Sequence, residues 1–461
     1  MTGAGRCRSR VAAVVLAAAL VSFGLATPMV SAQTAADAPA TEAELDRLFE
    51  QMLADPADLD LAFRYAQLAV VLGDYEAAVG ALERMLVINP DLPRVRLELG
   101  ALYFRLEAYG VARVYLEEAV AGDDVPETVQ RRVAELLSEI DRRTSRHRYS
   151  GRLFGGGRYQ TNANSGPSGP FITLGGVDVL LGNDATGEPD VNAFGLFEGT
   201  YSYDLQNQAG DLLEVNGLGF GTLYAKRDEL NLLIANVDVG PRIQLGRRGV
   251  TGVNVRPYLL GSYVSLDRRT YYSSFGAGAN VQIQPSERTA FELTYEFRRD
   301  DFIADSARPF ADLRDADLQA GFGVVRYAFT PRIVGEASVG IADNSADAEF
   351  RSFNDYAGNA VVTVALDAPF EGWNHPWYAS VSGGVRRTKY DGVDPFLRFI
   401  SFGDIDFPRR DDEWRVGGSL TAGITSDLGL IGRLDYRKVN SNIDLYDFDN
   451  LSATLGLSWR F

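Results

Sequence analysis

Cysteine and histidine are nearly missing from this sequence, and each scarcity removes a class of chemistry. The one cysteine, Cys7, lies in a leading segment expected to be cleaved, so the mature chain is expected to form no disulfide and offer no thiolate. The two histidines are His147, in a linker, and His375, in a short turn from Glu371 to Pro376. Neither is placed to meet a serine on a strand, so the chain is not expected to be an enzyme, and no catalytic residue, metal or cofactor is assigned. Basic side chains are also in deficit, 45 against 62 acidic ones, for a formal charge of -17. That balance excludes nucleic acid as a partner, because phosphate binding needs a basic surface. What the chain does have is glycine, 47 residues, and aromatics at 11%, which suits a β-rich membrane protein better than a helical enzyme.

Residues 1–32 read as a secretory signal. Arg6, Arg8 and Arg10 make a positive start, Val11 to Leu25 an apolar run too short for a membrane anchor, and Val30-Ser31-Ala32 a small-residue cleavage site. Cys7 precedes the apolar run, the wrong place for a lipoprotein cysteine. Residues 33–42 are expected to be an unstructured leader.

Helical periodicity fills residues 43–145. Tyr65, Ala66, Leu72, Tyr75, Ala78 and Leu82 recur as Leu99, Gly100, Leu106, Tyr109, Ala112 and Leu116, each 34 residues on, the period of tetratricopeptide repeats. Gly73-Asp74-Tyr75 supplies a turn between paired helices, and Pro90 closes the first unit. In the second unit Asp124 stands in register and Pro126 two residues late. Helices at about 42–54 and 126–141 should cap the pair, because two units alone bury too little surface. By repeat register the concave face carries Phe63, Gln67, Val70, Arg94, Leu97, Ala101 and Phe104. It reads either as a groove for a client peptide or as a packing surface. Arg142, Arg143, Arg146, His147 and Arg148 follow as a basic junction, either complementing the helix end or meeting lipid headgroups.

From Tyr149 to Phe461 the period becomes two. Phe291, Leu293, Tyr295 and Phe297 share one face of a strand, opposite Glu292, Thr294, Glu296 and Arg298. The last strand alternates likewise, with Leu451, Ala453, Leu455, Leu457, Trp459 and Phe461 on the apolar side. Trp459 and Phe461 suit a membrane–water interface and are expected to act as a barrel-assembly signal. About fourteen such segments begin near 149, 192, 211, 231, 254, 271, 290, 315, 333, 355, 377, 412, 429 and 450. Parity breaks near 211 and 254, which predicts bulges there. Short links at 206–210, 285–287, 331–332 and 426–428 alternate with long ones at about 161–190, 300–314, 342–354 and 391–411, the pattern of an outer-membrane barrel. The fold class is therefore an N-terminal α-helical tetratricopeptide-like domain followed by a transmembrane antiparallel β-barrel of about fourteen strands, at 149–461.

Strand parity points Arg152, Arg158, Glu198, Asp204, Asp238, Arg242, Glu292, Glu296, Arg298, Arg386, Glu413, Arg415, Arg433, Asp435 and Arg437 into the lumen. This mixed-sign lining is either a route for an extended chain or a set of space-filling ion pairs. The acidic loops with Asp404, Asp406, Asp411 and Asp412, and with Asp444, Asp447 and Asp449, lack calcium-binding spacing and read as solvated loops.

A signal, two tetratricopeptide units and a barrel of this size resemble the surface lipoprotein assembly modulator family. The stretch Gly155 to Asn164, ending Thr161-Asn162-Ala163-Asn164, is similar to the Asn-rich exit from that family's first strand, with Thr161 where an Asp is common. The resemblance implies export or display of a client lipoprotein or secreted protein by a Gram-negative outer membrane, with the helices in the periplasm. It implies the barrel assembly machinery, lipid and lipopolysaccharide as further partners. A polysaccharide exporter, usually richer in repeats, and a passive porin or adhesive scaffold are the other readings.

Overall fold

A computed structural model describes residues 42–122, 125–169, 171–174, 177–182, 185–246, 249–370 and 375–461. The expected signal, the leader up to residue 41 and Asp124 lie outside the described residues. Glu42 is not part of a leader, since it opens the first helix. The chain divides into two units between Ser145 and Arg146.

The first unit is helical: α1 (Glu42–Ala54), α2 (Leu59–Leu72), α3 (Tyr75–Ile88), α4 (Pro93–Arg105), α5 (Tyr109–Ala119) and α6 (Glu127–Thr144). Asp58 caps α2 by accepting from the Leu61 amide at 3.0 Å, and Asp74 caps α3 by accepting from the Ala77 amide at 3.0 Å. Gly73, at a φ of 83°, ends α2 in the left-handed conformation that a side chain resists. The repeat is a packing repeat: Ala78 and Ala112 are each 0% exposed, and Leu82 and Leu116 are buried at the matching places. Gly100 stands where the first unit has Ala66. A Cβ on it would lie 2.6 Å from Leu116 Cγ and 3.3 Å from the Ala112 carbonyl oxygen. Helix propensity favours alanine over glycine by about 0.8–1 kcal/mol, but the close approach of α5 reverses the sign. Gly100→Ala is expected to destabilise the helical unit by about 1–2 kcal/mol through overpacking, read as a lower urea midpoint of a 42–145 fragment. An unchanged or raised midpoint would refute this.

The second unit is a closed ring of fourteen antiparallel strands. In chain order they are β1 (His147–Gln160), β4 (Asp190–Asp204), β5 (Leu212–Tyr224), β6 (Leu232–Gln244), β7 (Val253–Leu266), β8 (Arg269–Ser286), β9 (Thr289–Phe302), β10 (Ala316–Thr330), β11 (Ile333–Ala346), β12 (Phe353–Leu366), β13 (Trp377–Tyr390), β14 (Arg410–Gly423), β15 (Leu428–Ser441) and β16 (Phe448–Arg460). A hairpin of β2 (Phe171–Leu174) and β3 (Val177–Leu180) stands in the link after β1. Every expected strand start falls within two residues of an observed one. Each strand pairs with its chain neighbour, and β1 pairs with β16 from Arg152↔Arg460 to Gln160↔Ser452, so no edge is left open.

Two local expectations fail. No register shift occurs near 211 or 254; the shifts lie at Val264/Ser265, Ile283/Ser286 and Ala328/Thr330. Parity looked broken on β5 because Leu218 and Phe220 point inward into an apolar cluster while Gly217, Gly219 and Gly221 point outward. The segment 342–354 is mostly strand rather than a long link, since β11 runs to Ala346 and β12 begins at Phe353.

The outer face is apolar, with Leu293, Val339, Val381, Leu434 and Leu455 all exposed. Aromatic side chains form a belt near each rim, Tyr149, Tyr201, Phe329, Trp459 and Phe461 at the short-turn end and Tyr159, Phe275, Tyr356 and Trp414 at the loop end. This is the surface of a transmembrane barrel. Beyond the loop-side belt the outer parity does carry charge, in pairs such as Arg387 with Asp412 at 2.5 Å and Arg299 with Asp317 at 3.4 Å.

Candidate functional site: a helical groove and a charged lumen

On the helical unit, Phe63 and Val70 pack against the core built by α1 to α4, with Arg94 from α4 laid over the Phe63 ring at 4.9 Å. Leu97, Ala101 and Phe104 pack instead with α5 and α6. Gln67 is exposed. Five of the seven residues therefore divide between two packing clusters, with Arg94 stacked on Phe63 and Gln67 left exposed. The Arg143 guanidinium covers Phe104 at 5.0 Å, and Glu139 holds it there at 2.7 Å. Hydrogen bonds from Arg142 and Arg143 keep the Glu139 carboxyl below its ordinary range. Further along the junction, Arg148 meets Asp204 at 3.5 Å and His147 Nδ1 lies 2.8 Å from the Tyr201 hydroxyl.

Sequence reading missed a half-buried link between the repeats. Tyr103 of α4 donates to Glu83 of α3 at 2.6 Å and stacks on Tyr115 of α5 with ring centroids 5.6 Å apart. The hydrogen bond to Glu83, followed by burial, raises the Tyr103 phenol to about 12. A raised folded-state value means that this contribution to stability is whole below the ordinary tyrosine range and lost as pH climbs from about 10 through about 12. Tyr103→Phe is expected to cost the helical unit about 1 kcal/mol at neutral pH. It should also remove that part of the alkaline loss, measured by denaturation of residues 42–145 across pH. An identical pH profile in the variant would contradict the assignment.

In the barrel, cross-strand registers put all the sequence-derived lumen residues on the inner face. Most are joined in ion pairs to neighbours on the same or an adjacent strand. Arg152 meets Glu198 at 2.6 Å, Arg386 meets Asp355 at 2.7 Å, Arg298 meets Asp300 at 3.2 Å and Arg433 meets Asp435 at 2.6 Å. Glu413 takes both Arg437 at 2.7 Å and Arg415 at 3.2 Å. Arg242 reaches Glu214 at 2.7 Å, and Arg256 bridges Glu214 and Asp238. Glu214 and Arg256 were missed because they lie in the segments whose alternation looked broken. Asp300, Asp355 and the Arg326–Glu336 pair were legible from parity.

Burial grades along the lumen. On β4 the inward residues Asp190, Asn192, Phe194 and Leu196 are buried, while Glu198, Thr200, Ser202 and Asp204 are only partly so. On β10, Ala316, Leu318 and Ala320 are buried and Phe322, Val324 and Arg326 are not. The loop-side half is filled: Ala311 packs with Leu232, Ile234, Val264, Leu266, Tyr271 and Tyr272. Leu397, on a short helix α7 (Pro395–Ile400) in the link after β13, packs with Ile405 and Ile443. On β4 and β10 the inward residues are less buried toward the short-turn rim than toward the loop rim.

The Asn-rich exit from β1 is a latch. Asn162 is buried, its side-chain amide donating to the Gly166 carbonyl at 2.8 Å and the Asp449 carbonyl at 3.1 Å, and its Oδ1 accepting from the Gly166 amide at 3.0 Å. Asn164 likewise bridges the Thr186 carbonyl and the Glu188 amide. Thr161 accepts from the Leu451 amide at 2.9 Å and so ties the exit to β16.

Among the described residues no group of three or more His, Cys, Asp or Glu is placed to hold a metal ion. Instead, Asp406 pairs with Arg398 and Asp447 with Lys438. The chain matches no family model, and no curated protein matches it. Among solved structures it is similar to a bacterial polysaccharide outer membrane secretin, at 12% identity and a TM-score of 0.33, covering 68% of this chain and 98% of that one. It is also similar to the type III secretion chaperone SycD of Yersinia enterocolitica, solved with a peptide of the translocator YopD, at 16% identity and a TM-score of 0.21, covering 23% and 82%. A thermophilic tetratricopeptide protein of Thermus thermophilus aligns at 22% identity and a TM-score of 0.20, covering 21% and 50%.

Proposed function

We propose that this protein is an outer-membrane translocon of the surface lipoprotein assembly modulator kind, which engages a client polypeptide through its helices and exports or displays it across the membrane. The observation that carries this reading is the pairing, in one chain, of a repeat face lined by Phe63, Val70, Leu97 and Phe104 with a barrel whose charged inward residues grow less buried toward the short-turn rim. β1 starts at that same rim. In this reading the helices are periplasmic, the short turns face the periplasm and the loops face outward. The client is a lipoprotein or a secreted protein, and the barrel assembly machinery inserts the whole.

The helical unit has its own buried core and makes none of the ladder bonds that close the barrel. Deleting residues 42–141 is therefore expected to leave a heat-modifiable barrel in the outer membrane while abolishing surface display of a co-expressed client, scored by antibody on intact cells. Undiminished display by the truncated protein would overturn the proposal.

A further inference from the structure

Once local ion pairs are set aside, the lumen retains charge on opposite walls. On β9, Glu292 accepts from the Asn280 side-chain amide at 2.7 Å and Glu296 accepts from the Tyr258 hydroxyl at 2.7 Å. Among the described residues neither carboxylate has a cation within ion-pair reach. Across the lumen the surplus is positive. Arg158 on β1 donates to the Thr454 hydroxyl at 3.3 Å, Arg460 on β16 donates to the Ser426 carbonyl at 3.3 Å, and Arg415 and Arg437 share the one Glu413. β9 and β16 stand seven strands apart in the ring of fourteen, which is diametrically opposite. Asp190, a further inward carboxylate, is buried at the loop rim, where the amides of Val191, Lys226 and Arg227 satisfy it. Glu292 is exposed and Glu296, Arg415 and Arg437 are partly exposed on the inner face, and Arg460 is exposed at the short-turn rim.

We infer that the lumen is a two-walled site for an extended polypeptide segment carrying acidic side chains along one edge and basic ones along the other. In an extended chain, successive side chains point to opposite sides. A segment alternating acid and base therefore presents its bases to β9 and its acids to β14–β1 simultaneously. A uniformly charged polymer gains at one wall what it loses at the other. The inference rests on the protein-client reading and narrows it to the charge pattern of the segment in transit.

The test uses full-length protein in lipid nanodiscs and two labelled peptides of about sixteen residues, long enough as a strand to enter from the short-turn rim and reach both walls. They share one composition: one alternates Glu and Lys, the other repeats Glu-Glu-Lys-Lys, which cancels the edge-to-edge difference. The alternating peptide is expected to bind at least about fivefold tighter by fluorescence anisotropy, a difference that shrinks as salt rises. The Glu292→Gln/Glu296→Gln variant keeps both hydrogen-bond acceptors and is expected to fold with unchanged heat-modifiable mobility while losing the preference. Equal or absent binding of the two peptides, tighter binding of an all-Glu peptide, or a preference that survives in the folded variant would overturn the inference. Such failures would leave the helical client reading standing, because that is scored by display on cells and not by peptide affinity.

Discussion

Glu413→Ala is expected to destabilise the barrel by about 3 kcal/mol. Glu413 is buried and holds Arg437 and Arg415, while Arg386 stands directly opposite it in the β13–β14 register. Removing the carboxylate leaves two guanidiniums competing for water in a crowded interior, with a third cation nearby. Breaking a buried pair in this way costs about 3–5 kcal/mol. Exposure of the two arginines, about a third each, puts the expected loss at the lower end of that range. Glu413→Gln keeps an acceptor oxygen and should cost less, about 1–3 kcal/mol. The measurement is the urea midpoint of barrel unfolding in detergent, followed by heat-modifiable migration. A Glu413→Ala barrel as stable as the parent would mean that water, and not Glu413, solvates these arginines. Replacing Arg433, which is exposed and pairs with Asp435 at 2.6 Å, should move the midpoint little by comparison.

The contrast between these positions explains what could be read from residues alone. Alternation reports which side of a sheet a residue faces, so Arg152, Glu198, Glu292 and Arg437 were assignable without coordinates. It fails where both faces are apolar or both are small. On β5, inward Leu218 and Phe220 and outward Gly217, Gly219 and Gly221 reverse the usual contrast. The outward glycines are tolerated because the Phe197 ring on β4 covers part of that surface. Glu214 and Arg256, in the two obscured segments, were lost with it. The helical repeat was legible because close packing forces small residues to recur at one place, as Ala78 and Ala112 do. What parity and period cannot carry is depth along the lumen. Nothing in the spacing of Ala311 or Leu397 announces that their links fold back to close the loop rim. The contact of Arg143 with Phe104, which divides the helical face, depends likewise on where α6 crosses α4 and α5.

Removal of Phe461 is expected to reduce the amount of assembled barrel in cells severalfold, with a smaller effect on refolding into synthetic lipid. Phe461 extends the closing seam past the last strand pair. Its amide donates to the Gly151 carbonyl at 3.1 Å, and its carbonyl accepts from the Gly151 amide at 2.9 Å. Its ring lies over Gly151, where a Cβ would come within 2.5 Å of it, and sits 5.2 Å from Trp459. Loss of two backbone hydrogen bonds and a half-exposed ring amounts to about 2–4 kcal/mol at most. That is modest for a ring already closed by nine registered pairs between β1 and β16. A refolding yield close to that of the parent, with poor assembly in cells, would assign Phe461 the role of an assembly signal read before the seam closes. Equal loss in both settings would make it a seam-packing residue, and normal assembly in cells would contradict both roles. Phe461→Ala separates the contributions further, because it retains both backbone bonds. If recognition of the aromatic ring dominates, this variant should assemble as poorly as the deletion.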